Sequence, residues 1–140
     1  MATPIFVDTM FVLALINTRD QFHGQAQMLA DQLTGAPLLT TDSVLLEIGN
    51  ALARSYKAEA IAIINDFLTA DDVEIVRLTP LLFDRAWALY QQYQDKPWGL
   101  VDCISFIVMR DHQIHDAATG DQHFVQAGFR ALMRDFTHFL

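Results

Sequence analysis

Hydrophobic positions along the chain follow two rhythms: short unbroken apolar runs, and longer stretches repeating every three to four residues. Ile5, Phe6 and Val7 form the first run, rich in β-branched and aromatic side chains. It predicts a short strand buried on both faces that leads straight into Asp8 and Thr9. An apolar helix is expected over 10–16, broken by Asn17-Thr18-Arg19-Asp20. A second, over 24–33, places Ala26, Leu29, Ala30 and Leu33 on one face and stops at Gly35-Ala36-Pro37. Residues 38–41 read as a strand. Thr41 or Asp42 then caps a helix reaching about residue 56, with Val44, Leu45, Ile48, Ala51 and Leu52 inward. Helix 57–68 and a half-exposed strand at 73–78 follow. Thr79-Pro80 is a cap with proline in the first turn, starting a helix to about 94. After a loop at 95–98, Gly99 opens a helix to about 112. Residues 116–119 read as a short strand end, 120–126 as a loop or single helical turn, and 128–133 as a last edge strand. Strands alternating with helices predict an α/β three-layer sandwich: a short, mostly parallel central sheet covered by helices on both faces, in one domain over 1–140.

Composition narrows the class. The chain has 140 residues, 52% of them hydrophobic and 19% charged, which suits a globular domain with a sizeable core. The longest apolar run, at 10–16, is too short to cross a bilayer, and the N-terminus lacks the basic segment of a secretory signal. The one cysteine, Cys103, excludes an internal disulfide and fits a reducing compartment, so a cytoplasmic protein is expected. A net charge of −8 with nine basic residues argues against a simple nucleic-acid-binding module. It is compatible with an enzyme whose acids are neutralised by bound cations. No glycine-rich phosphate loop is present, which disfavours nucleoside triphosphate hydrolysis.

Four acids stand in unusual company. Asp102 lies in a run, 100–109, that is apolar nearly all round, where a carboxylate needs a partner. Its place in the first helical turn favours an anion. Glu47 is flanked by Val44, Leu45, Leu46 and Ile48, and Asp121 follows Thr119-Gly120. Each has an ordinary reading when taken alone: a helix cap for Asp8, a solvated stripe for Glu47, a turn for Asp121. In an open α/β sheet, strand ends and helix starts face one side, where ligands bind. Carboxylates gathered there repel one another unless a divalent cation lies between them, and an all-oxygen set suits Mg²⁺ or Mn²⁺. His112 and His115 read as surface residues, His23 and His123 as hydrogen-bonded structural residues, and Cys103 as core. Arg19, Arg54, Lys57 and Arg110 are candidate phosphate contacts, with surface solvation the simpler role for each. Trp98 and Phe124 are candidates for stacking on bases, with core packing the commoner fate.

The ordered set Val7-Asp8-Thr9, Leu46-Glu47-Ile48, Leu100-Val101-Asp102-Cys103-Ile104-Ser105-Phe106 and Ala118-Thr119-Gly120-Asp121-Gln122-His123-Phe124, with Gly128-Phe129, resembles the PIN domain family, in the style of VapC-type toxin ribonucleases. The resemblance spans nearly the whole chain. It implies a flavodoxin-like sheet and a metal-dependent endoribonuclease, with Asp8, Glu47, Asp102 and Asp121 as the acidic cluster around Mg²⁺ or Mn²⁺. It also implies Thr119 as the hydroxyl residue beside the last acid, RNA as substrate, homodimerisation, and silencing by a small antitoxin. Gly99 departs from the Ser or Thr of many relatives, which bears on helix capping.

Rival readings remain open at this level. One is a catalytically silent PIN-like interaction module, in which helix faces at 29–33 or 61–68 serve dimer or antitoxin contact. A receiver-type phosphorylation domain wants an acid pair after the first strand and a lysine near the last, and neither is present. A haloacid-dehalogenase-like phosphatase wants Asp-x-Asp, which Asp8-Thr9-Met10 does not supply.

Overall fold

The computed structural model describes residues 2–135. Five strands, β1 (Ile5–Val7), β2 (Leu38–Thr41), β3 (Val73–Val76), β4 (Asp116–Ala118) and β5 (Arg130–Ala131), form one sheet in the order β3-β2-β1-β4-β5. Every pairing is parallel. Among the described residues, seven helices accompany them: α1 (Thr9–Ile16), α2 (His23–Gln32), α3 (Asp42–Leu52), α4 (Lys57–Thr69), α5 (Pro80–Gln92), α6 (Leu100–Asp111) and α7 (Gln122–Gln126). The sequence-predicted α/β sandwich is therefore the observed fold, and its sheet is wholly parallel.

β1 sits at the centre because Phe6 and Val7 are fully buried and pair on both sides, Phe6 with Leu39 of β2 and with Ala117 of β4. Phe106 of α6 packs edge-on against Phe124 and Trp98, at 5.0 and 5.1 Å between ring centroids. Residues 103–109 of α6 are all buried, so the all-round apolar run is a central helix. Cys103 is core, and burial pushes its thiol up to about 11.

Boundaries move where local chemistry competes with the apolar rhythm. The helix expected to reach 56 ends at Leu52, and Ala51, expected inward, is exposed. The strand expected to 78 stops at Val76, because Leu78 N–H turns away to donate to Asp42 Oδ1 at 3.0 Å. The last strand shrinks to Arg130–Ala131. Gly128 precedes it at φ 96°, and residues past 131 turn so that Met133 N–H reaches Thr119 O at 3.1 Å. The face 29–33 is not an open one, since Leu29 is buried, whereas Ile61 and Leu68 of α4 are exposed.

Thr41 caps α3, its buried Oγ1 accepting from Val44 N–H at 3.1 Å. Thr41→Ala is expected to lower unfolding free energy by about 1 kcal/mol in urea denaturation, loosening the helix that carries Glu47.

Candidate active site

β1, β4 and the starts of α3 and α6 end on one edge of the sheet, and the acids collect there. Asp8 follows β1 directly. It stands at the N-cap of α1, yet its side chain makes no capping bond. Instead it is only 5% exposed and accepts a hydrogen bond from Thr119 Oγ1 at 2.7 Å, across 111 residues of sequence. Thr119 Oγ1 in turn accepts from Asp121 N–H at 3.0 Å, so one hydroxyl ties the first acid to the last. Asp121 caps the short α7 by accepting from His123 N–H at 2.9 Å.

Asp102, in the first turn of α6, accepts from Gly99 N–H at 3.0 Å. The glycine has no side chain to cap with, so the carboxylate itself ties down the helix start, where the dipole favours it. Glu47 lies in the second turn of α3 rather than at its start. It reaches the same edge because α3 packs on α1, and Thr9 Oγ1 donates to its Oε1 at 2.6 Å. Asp8, Glu47, Asp102 and Asp121 thus line one cleft of about 310 Å³.

Two further groups stand on that wall, neither of them a ligand candidate from sequence. Asp20 lines the cleft from the α1–α2 turn, its Oδ1 accepting from Phe22 N–H at 2.8 Å. His123 Nδ1 lies 2.9 Å from Asp102 Oδ2 and 3.5 Å from Asp121 Oδ1. Donor atoms of Asp102, Asp121 and His123 fall within 4.8 Å of one another, close enough to hold one ion. His123 is hydrogen-bonded, as expected, but inside the acidic site. The signal available was its place two residues after Asp121. His23 is structural, its Nδ1 2.8 Å from Ala14 O, while His112 and His115 are exposed.

Electrostatics make the arrangement costly for the protein alone. Burial, reinforced by Asp102 and Asp121, pushes the Asp8 carboxyl up to about 7, against the opposing hydrogen bonds from Thr119 and the Thr9 backbone. Burial also raises Asp102, with Gly99 N–H and His123 pulling it back down. Glu47 is raised in the same way, with the Thr9 hydroxyl opposing. Three acids raised together resist shedding all their protons, and a divalent cation removes that resistance. The oxygen-rich donor set matches a hard cation such as Mg²⁺ or Mn²⁺.

Trp98 and Phe124 are not available as stacking platforms over this cleft. Trp98 is 6% exposed, with Nε1 donating to Gln126 Oε1 at 3.0 Å, and Phe124 is wholly buried in the aromatic core. Nor does Arg19, Arg54, Lys57 or Arg110 line the cleft. The basic residue tied to the acidic loop is Arg134, whose Nε donates to the carbonyl of Gly120, between Thr119 and Asp121.

A PIN domain model matches residues 5–130, and with this fold and site the chain belongs to the PIN domain family. Over 125 residues it is 32% identical to the 23S rRNA-specific endonuclease VapC20 of Mycobacterium tuberculosis, in strains CDC 1551 / Oshkosh and ATCC 25618 / H37Rv. That match covers 89% of this chain and 95% of the relative. The crystal structure of VapC20 from Mycobacterium tuberculosis, described as a Sarcin-Ricin loop cleaving toxin, shares the fold with a TM-score of 0.79 at 31% identity, over 89% of this chain and 95% of that one. The nuclease class expected from the sequence is that of this homologue. Among the described residues no helix is long and apolar enough to cross a membrane.

Proposed function

We propose that this chain is an Mg²⁺- or Mn²⁺-dependent endoribonuclease and the toxin of a toxin–antitoxin pair, working as a cytoplasmic homodimer that a small antitoxin silences. The observation carrying the reading is the convergence of Asp8, Glu47, Asp102 and Asp121 on one cleft, with Asp8 almost fully buried. The naming of its homologue VapC20 as a 23S rRNA-specific endonuclease supports RNA as the substrate class.

A bound divalent cation supplies Lewis acidity toward the scissile phosphate and a water of lowered pKa. Asp8 and Asp102 would hold the cation directly, and Glu47 and Asp121 directly or through waters. Thr119 and Thr9 fix the rotamers of Asp8 and Glu47 by donating to Asp8 Oδ2 and Glu47 Oε1. His123 and the Gly99 N–H both hold Asp102 through the same oxygen, Oδ2.

RNA cleavage with Mn²⁺ or Mg²⁺ and after EDTA treatment is the direct test. Activity is expected to vanish in EDTA and return on adding either ion; cleavage that persists in EDTA would overturn the mechanism. Co-expression of neighbouring open reading frames tests the toxin role: growth arrest by this chain alone, relieved by a small co-purifying protein, is the expected result.

Thr119→Val removes a hydrogen bond that favours ionised Asp8. Its carboxyl should therefore rise further above about 7, and Mn²⁺ binding, which needs the carboxylate, should shift to higher pH. A titration of Mn²⁺ affinity against pH reads this, and an unmoved profile would contradict it.

A further inference from the structure

A second depression, of about 430 Å³, lies beside the acidic cleft and is walled by Tyr90, Tyr93, Lys96, Trp98 and Gly99. Its size falls within the roughly 300–1,000 Å³ of small-ligand sites. Gly99 separates the two: its backbone belongs to this groove, and its N–H is bonded to Asp102, which lines the cleft. The groove's floor is rigid. Trp98 is locked against Phe106 and Gln126, and Tyr93 leans on it at 4.9 Å between ring centroids. At the rim, Tyr90 stacks on Trp87 at 5.6 Å and 14°, and both rings remain more than 40% exposed. Lys96 adds a half-buried cation in a chain of net charge −8; its partner at 3.4 Å, Asp95, is exposed, so the pair is readily redirected.

We propose that this groove is a nucleobase subsite: Tyr90, backed by Trp87, stacks on an unpaired base next to the scissile phosphate, and Lys96 meets that nucleotide's phosphate. The nuclease reading is what makes the ligand an RNA strand. Preformed aromatic faces suit bases because every base has a π-face and the rings lose little freedom on binding. A strand reaching both the acidic cleft and the groove would pass Gly99, which lines the groove and bonds a wall residue of the cleft. The buried Trp98, unsuited to stacking over the catalytic cleft, instead serves as the groove's floor.

The test uses Asp8→Asn protein, which keeps RNA intact, and Trp fluorescence, since Trp87 is the exposed indole and Trp98 the buried one. The probes are hexariboadenylate and an abasic ribose-phosphate hexamer. Hexariboadenylate is expected to quench the emission and the abasic strand to leave it unchanged. Tyr90→Ala should weaken hexariboadenylate binding about tenfold, and Tyr90→Phe should retain it. Lys96→Gln should weaken both probes. In otherwise native protein Tyr90→Ala should raise KM for RNA and leave kcat in place. Absent quenching, or equal binding by Tyr90→Ala and its parent, overturns the subsite. Conversion of a dimer to a monomer by Trp87→Ala, seen in sedimentation, also overturns it, because the stripe would then be covered by a second copy. Binding does not depend on cleavage, so a protein that stacks bases and cuts no RNA would sink the nuclease reading and leave the subsite standing.

Discussion

Asp8→Asn is expected to abolish RNA cleavage, by at least about 10²-fold, while making the metal-free protein more stable at pH 8. Both effects come from one charge. Burial holds the native Asp8 carboxyl at about 7, against 3.8 for the group in an unfolded chain. Between those values the native state keeps a proton that the unfolded state has lost. Stability of the metal-free protein must therefore fall as pH rises from about 4 to about 7 and level off above, since the slope follows protons bound in the unfolded state minus those bound in the native state. A gap of about three pKa units corresponds to a loss on the order of 4 kcal/mol across that window. Asparagine cannot ionise, so its urea-unfolding profile in EDTA should be shallower over the same range. Some slope persists because Glu47 and Asp102 are raised in the same direction. Saturating Mn²⁺ should narrow the difference in stability, stabilising the native chain by about 2.7 kcal/mol at a hundredfold excess over Kd, and the variant by much less. A variant less stable than the native chain at pH 8 in EDTA would refute the account of Asp8.

Asp102→Asn is the second large effect and separates charge from structure. One oxygen of Asp102, Oδ2, accepts from both Gly99 N–H and His123 Nδ1, and an asparagine carbonyl placed there can accept the same two bonds. The start of α6 should therefore hold, with melting temperature close to the native value. Mn²⁺ affinity and cleavage should each fall by about 10²-fold or more, because the hard cation loses an anionic ligand beside Asp121. Asp102→Ala should lose in addition about 1 kcal/mol of stability, with the Gly99 bond gone. Calorimetric Mn²⁺ titration beside thermal unfolding distinguishes these outcomes. Unchanged Mn²⁺ binding by Asp102→Asn would remove Asp102 from the ligand set.

The sheet was legible in the sequence because its central strands are unbroken apolar runs and its helices carry a clear inward stripe. Phe6 and Val7 admit no solvent-facing alternative, and residues 103–109, apolar but for Ser105, are buried on every side. Edges were less legible. Arg130–Ala131 and the end of β3 at Val76 depend on where neighbouring backbone groups find partners, not on hydrophobic period. The four acids stood out because each sits in apolar sequence or at a strand end. Asp20, in an ordinary polar turn, and Arg134, near the C-terminus, carry no such mark; they meet the site only through a cleft wall and a bond to Gly120.

From its residues alone this chain is committed to an alternating α/β architecture with carboxylates at the carboxyl edge of a parallel sheet, since burial pattern and chain direction leave few other arrangements. Tertiary structure decided which atoms meet. Thr119 reaches Asp8 across 111 residues, Glu47 enters from the second turn of α3, and His123 lies between two acids. It also decided that Trp98 and Phe124 pack inward while Trp87 and Tyr90 stay out. Hydrogen-bond partners and side-chain burial depend on how helices pack in three dimensions, which periodicity along the chain does not encode.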